Sequence, residues 1–154
     1  MSPFRAVVRD TRLVPTTEPQ RIVVGVDGSA ASDAALAWGC DEGRLRGATV
    51  VALHVVVIPY ELPRIPVEVP ESELEREGAQ LLDDAVARAP TDGVAIEPQL
   101  LEGTPGELLV EASQDAALVV VGTRAHGRLA TFVIGSVSDT AVHHAKCPVV
   151  VVRG

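Results

Sequence analysis

Arg21-Ile-Val-Val-Gly-Val-Asp-Gly-Ser29 is an apolar run closed by turn residues, the pattern of a strand that ends in a tight turn. The same grammar repeats down the chain. From Ser32 to about Leu45 the apolar positions Ala35, Leu36 and Trp38 fit a helix that stops near Gly47. Thr49 to Val57 is almost wholly β-branched and apolar, which predicts a strand buried on both faces. Pro59, Pro63, Pro66 and Pro70 exclude regular structure until Ser72. There Ser72 and Glu75 spell a capping box, and Leu74, Leu81, Leu82 and Val86 follow at helical spacing, ending before Pro90. Val94 to Leu101 reads as a strand, and Thr104-Pro-Gly-Glu107 as a second box opening a helix to about Gln114. Leu118 to Val121 is a short buried strand, Gly122 to Ile134 a loop, Gly135 to about His144 a helix, and Val149 to Val152 the last strand. This β-α-β-α-β-α-β-α-β order predicts an α/β fold: a parallel sheet with helices on both faces and right-handed crossovers.

Composition agrees. The 154 residues suit one domain, read as residues 21–154 preceded by an extension over residues 1–20. Hydrophobic residues make up 47% but aromatics only 3%, so the core must be built from Val, Leu, Ile and Ala. A net charge of −8 with so few stacking rings argues against nucleic acid and against anionic membranes as partners. Cys40 and Cys147 make neither a disulfide framework nor a zinc site and read as small core residues. No apolar run has the length of a membrane span or the form of a signal peptide, which predicts a soluble, cytoplasmic protein.

Ligands of open parallel sheets bind beyond the carboxyl ends of the strands, here after Val26, Val57, Leu101 and Val121. Several familiar sites are missing. Lys146 is the only lysine, so there is no P-loop, and Gly25 with Gly28 does not form the dinucleotide fingerprint. The third strand ends in Leu100-Leu-Glu-Gly103, without the aspartate of a receiver domain. What remains is the loop from Gly122 to Ser136. It starts with glycine after a buried strand, ends in Gly135-Ser136 at a helix start, and carries Arg124, His126 and Arg128. Free N–H groups at a helix start attract phosphate, and Ser136 and Ser138 add hydroxyls, so the loop is a candidate cradle for a phosphorylated ligand. It also fits an ordinary strand–helix connection in which Ser136 only caps its helix. Asp27 is placed to meet a ribose hydroxyl or a metal, or else serves the Asp-Gly-Ser turn alone. His54 reads as a hydrogen-bonded core histidine, and His143 and His144 as cations at a helix C-terminus.

Together, Ile22-Val-Val-Gly-Val-Asp-Gly-Ser29, Ala52-Leu-His-Val55, the Gly122–Ser136 loop and the ending through His143-His-Ala-Lys-Cys-Pro-Val-Val-Val-Val152 resemble the universal stress protein family. The resemblance implies a three-layer α/β/α fold of the adenine nucleotide alpha hydrolase-like type, with a five-stranded parallel sheet in order 3-2-1-4-5. It also implies a homodimer in which Val149–Val152 pairs antiparallel with its twin. The ATP-binding branch carries G-2x-G-9x-G-[ST]. Gly122 and Gly135-Ser136 fill the outer positions, and Ala125 stands where the second glycine belongs, with Gly127 two residues on. By similarity, adenine lies against Val55 with the backbone of Val26 and Val121 nearby, and the ribose meets Asp27. Phosphates meet Gly122, Gly135, Ser136 and Val137, and Ala125 and Gly127 border their track. The implied function is a stress-response regulator that binds ATP, with Mg2+ resting on Asp27, or AMP or cyclic AMP where Ala125 trims the phosphate end. The alternatives are a ligand-free dimeric interaction protein and a slow ATP hydrolase for which no catalytic residue is assigned.

Overall fold

The structure, a computed structural model, describes residues 19–57, 70–123 and 135–154. Its elements are β1 (Arg21–Gly25), α1 (Ala30–Arg46), β2 (Thr49–Val56), α2 (Glu71–Arg88), β3 (Ile96–Glu102), α3 (Pro105–Ala112), β4 (Leu118–Gly122), α4 (Ser136–His144) and β5 (Val149–Val152). The strands form one sheet in the order β3-β2-β1-β4-β5, and every neighbouring pair is parallel. The sequence-based order of elements and the strand order implied by the resemblance are both found. The expected extension over residues 1–20 lies outside the described residues except for Pro19 and Gln20.

Side chains alternate across each strand and so sort into two cores. Ile22, Val24, Val50, Ala52, Leu118 and Val120 face α1 and α2, where Leu36, Cys40, Leu82 and Ala85 close the layer. Val23, Val51, Leu53, Val55, Val119 and Val121 face α3 and α4 and meet Leu109 and Ala141. The strands read as continuous valine runs because both sides of the sheet are covered. Cys40 is wholly buried and Cys147 half-buried; both are free thiols, and burial pushes each thiol pKa up. Among the described residues no helix is long and apolar enough to cross a membrane.

Helix starts depart from the sequence reading. α1 begins at Ala30 rather than Ser32, because Ser29 is the cap: its Oγ accepts the Ser32 N–H at 3.1 Å. Gly47 ends the helix in the left-handed region, φ 62°, as the sequence predicts. The expected Ser72–Glu75 box does not form. α2 starts one residue earlier, and the Pro70 carbonyl accepts the N–H groups of Glu73 and Leu74 at 2.8 and 3.3 Å. Proline fixes its own φ near the helical value, so the backbone turns without a side-chain cap. Thr104 does precede α3 with Pro105 in the first turn, but its carbonyl, not its hydroxyl, engages the helix by accepting the Leu108 N–H at 3.0 Å. β3 begins at Ile96, two residues after the predicted start.

Helix α1 lies close against the sheet. A Cβ on Gly39 would stand 2.7 Å from Val24 Cγ2, and one on Gly43 would stand 2.8 Å and 2.9 Å from methyls of Val50 and Val94. Alanine at residue 43 therefore overpacks a β-branched core that has no flexible chain end to yield. Gly43→Ala is expected to lower stability by about 1–2 kcal/mol, the overpacking outweighing a gain in helix propensity of about 1 kcal/mol. Urea unfolding checks this: the midpoint falls with an unchanged slope, and an unchanged or raised midpoint contradicts the packing argument.

Candidate functional site

The chain leaves β1 for β2 on one side and returns at β4 on the other, so the strand order reverses between β1 and β4. Such a reversal is where open α/β sheets accept ligands. Pairing between the two strands ends at Val24↔Val120. Beyond it a cavity of about 520 Å³ opens, bounded by Gly25, Val26 and Asp27 on one bank and Val121 and Gly122 on the other. Leu53, Val55 and Val121 give it an apolar floor continuous with the core under α3 and α4. Pro105 and Leu109 of α3 wall one side, and Gly135, Ser136, Val137 and Ser138 bring in the first turn of α4. Its size falls within the range of small-molecule sites, roughly 300–1,000 Å³.

Hydrogen bonds fix the first turn on the rim. Asp27 Oδ1 accepts the Ser29 N–H at 2.9 Å, and Gly28 takes φ 79°, which glycine adopts without strain. Ser32, buried, donates its hydroxyl to the Ser29 carbonyl at 3.0 Å and accepts the Asp27 N–H at 3.3 Å. Asp27 thus shapes the turn, as one sequence reading has it, and also stands on the cavity wall. Val26 is similarly engaged: its N–H reaches the Leu53 carbonyl at 2.8 Å, and its own carbonyl accepts His54 Nδ1–H at 2.6 Å. His54 is hydrogen-bonded, as the sequence predicts, but it is half-buried on the cavity lining and not a core residue.

On the opposite bank Gly122 serves packing. A Cβ there would stand 2.5 Å from the carbonyl carbon and oxygen of Ala31, in the first turn of α1. Its carbonyl accepts the hydroxyl of buried Ser138 at 2.9 Å, which anchors the start of α4 to the end of β4. The Ser138 hydroxyl, expected to face a ligand, is committed to that anchor. The first backbone bond inside α4 runs from the Asp139 N–H to the Gly135 carbonyl at 2.9 Å. The N–H groups of Ser136, Val137 and Ser138 accordingly have no acceptor within the helix, and they carry the positive end of its dipole beside the cavity.

Val26, Asp27, Val55, Val121, Gly122, Gly135, Ser136 and Val137, all singled out from the sequence, line this one cavity. Ala125 and Gly127, with Arg124, His126 and Arg128, lie outside the described residues. Sequence reasoning passed over Leu53, Pro105 and Leu109. Leu53 belongs to the face of β2 that carries Val55, and Pro105 opens the helix after a flagged strand end, so both carried a signal. Among the described residues no group of three His, Cys, Asp or Glu is gathered to hold a metal ion, and Asp27 is the one carboxylate on the described wall.

The universal stress protein family model matches residues 18–153. A universal stress protein of Mycolicibacterium smegmatis is 32% identical over 149 residues, covering 92% of this chain and 51% of the relative. One from Mycobacterium tuberculosis is 37% identical over 143 residues, covering 92% and 48%. The chain thus spans about half the length of the curated relatives it matches. Among solved structures, the universal stress protein UspA from Lactobacillus plantarum superposes with a TM-score of 0.70 at 26% identity, covering 88% of this chain and 99% of that one. A universal stress protein in complex with cAMP gives 0.64 at 28%, covering 86% and 96%. The Archaeoglobus fulgidus protein in complex with dAMP gives 0.65 at 26%, covering 86% and 97%.

Because Gly122 is held against α1 backbone, its replacement is expected to act first on folding. Gly122→Ala should lose about 2–3 kcal/mol in urea unfolding without any ligand, near the upper end of overpacking costs. Wild-type stability in that variant contradicts the close approach of α1 to β4.

Proposed function

The chain belongs to the universal stress protein family, and on that footing we propose that the cavity binds an adenine nucleotide as the ligand of a cytoplasmic stress-response regulator. The observation that carries this reading is the meeting of an apolar floor with the exposed N–H groups of a helix start in one cavity. A purine fits the first and a phosphate the second. The base lies over Val55 and Val121, the ribose turns toward Asp27, and the phosphate rests at Gly122, Gly135, Ser136 and Val137. The cAMP and dAMP bound by two structural neighbours support the same class of ligand. The spacing of Gly122 and Gly135-Ser136 favours ATP, whose phosphates would bring Mg2+ past Asp27. Ala125 in place of the second motif glycine favours AMP or cyclic AMP, which need less of the phosphate track. Binding, not turnover, is the proposed activity.

We also propose a homodimer through β5. The Val119 N–H reaches the Pro148 carbonyl and the Thr123 N–H the Val152 carbonyl, so residues 148, 150 and 152 face β4. Val149 and Val151 then direct their backbone groups outward. At the other edge the Val50 N–H meets the Ala95 carbonyl and the Gly103 N–H meets the Val56 carbonyl. Pro98 therefore falls at an outward position of β3 and removes a donor there. Of the two edges, β5 is the one built to accept another strand.

Thermal unfolding with Mg-ATP, AMP and cyclic AMP in parallel tests the ligand. A nucleotide at about a hundred times its Kd adds about 2.7 kcal/mol, a rise of several degrees for a chain of this size. Gly135→Val, which puts a branched side chain at the start of α4, should remove the rise and leave the dimer intact. No rise with any nucleotide overturns the proposal. Val151→Pro removes an outward N–H while sparing the bonds to β4, and sedimentation should show a monomer. A dimer that persists in that variant means the edge is not the contact.

A further inference from the structure

We infer that His54 is a positioning residue that sets base selection in the cavity, an inference that rests on the adenine-nucleotide reading of that site. Two bonds fix how β1 and β2 alternate: the Thr49 N–H meets the Gln20 carbonyl, and the Val26 N–H meets the Leu53 carbonyl, each at 2.8 Å. Continued by one step, the same ladder brings the Val26 carbonyl to the Val55 N–H. It does not continue. The last registered pair is Gly25↔Leu53, and the Val26 carbonyl is taken at 2.6 Å by His54 Nδ1. A carbonyl only accepts, so Nδ1 carries the hydrogen. The ring is held from the side of α2, where a Cβ on Gly78 would stand 3.2 Å from His54 Cδ2 and 2.8 Å from Val56 Cγ2. Only a glycine lets the helix sit that close.

His54 thus draws the Val26 carbonyl out of the ladder, and Val55, on the cavity wall, keeps its N–H for a ligand. A fixed N–H donor selects among purines by the ring nitrogen it meets. N1 of adenine accepts a hydrogen bond, whereas N1 of hypoxanthine carries a hydrogen and opposes donor to donor. A polar mismatch of this kind is among the stronger forms of discrimination available to a binding site. Without the imidazole, the Val26 carbonyl is free to close the ladder onto the Val55 N–H, and the donor is lost.

Calorimetric titration of AMP and inosine monophosphate into the full chain tests this. The wild type is expected to prefer AMP by about tenfold or more. His54→Phe, which keeps a ring and loses the donor, should weaken AMP by about tenfold and bring the ratio near one. His54→Leu should likewise bring the ratio near one, and it replaces the phenylalanine variant if that one does not fold. His54→Gln, whose side-chain amide can donate, should retain the preference. A residue that only supports the fold would weaken both nucleotides alike and leave the ratio unchanged. That result, or equal binding of both by the wild type, overturns the inference while leaving the nucleotide site standing. A wild type that binds neither overturns both.

Discussion

The first turn of α1 and the end of β4 meet with no room for a methyl group between them. Ala31 lies where any side chain on Gly122 would go, and Gly154 fits against the same residue. Much of the architecture follows from that contact. It seats α1 across β1 and β4, with Gly39 and Gly43 continuing the close approach along the helix. Just ahead of this contact in the chain, Asp27, Ser29 and Ser32 form a closed set of hydrogen bonds and not an open loop. The cavity is what remains between a turn held on one side and the α4 anchor, Ser138 on Gly122, on the other.

Much of this is legible in the sequence. Strands buried on both faces leave uninterrupted valine runs, and turn residues mark their ends, so the order of elements reads directly from the residues. The strand order comes from the resemblance, since nothing in the alternation alone says which way each crossover steps. Helix starts are less legible because the backbone has several ways to begin a helix. Ser72 and Glu75 have the spacing of a box, yet Pro70 just ahead of them already supplies the carbonyl. A cap is a competition among neighbours, and spacing shows only the competitors.

The site divides along the same line. Positions at strand ends stand out because the fold class says where ligands go. The reasons those residues are there are less visible. Gly122 is glycine for the sake of Ala31, from which two whole strands, β2 and β3, separate it in the chain, and no local reading reports such a neighbour. Leu109 reaches the cavity only because α3 and α4 share a face of the sheet. His54 reads as hydrogen-bonded from its place in a buried strand, but its partner, and so its bearing on the cavity, depends on the register of two strands.

Pro98 and the outward backbone groups of Val149 and Val151 make the two edges of the sheet unlike. An assembly that adds strands at both edges has no natural end, and fibres arise that way. With a proline on the outward side of β3, strand addition is disfavoured there, and the proposed antiparallel pairing of β5 with β5 would use the other edge on both copies at once. Such an association is closed: it stops at two and leaves no template for a third. In the proposed dimer, the backbone choice that joins two copies would therefore also keep the assembly finite, however high its concentration rises.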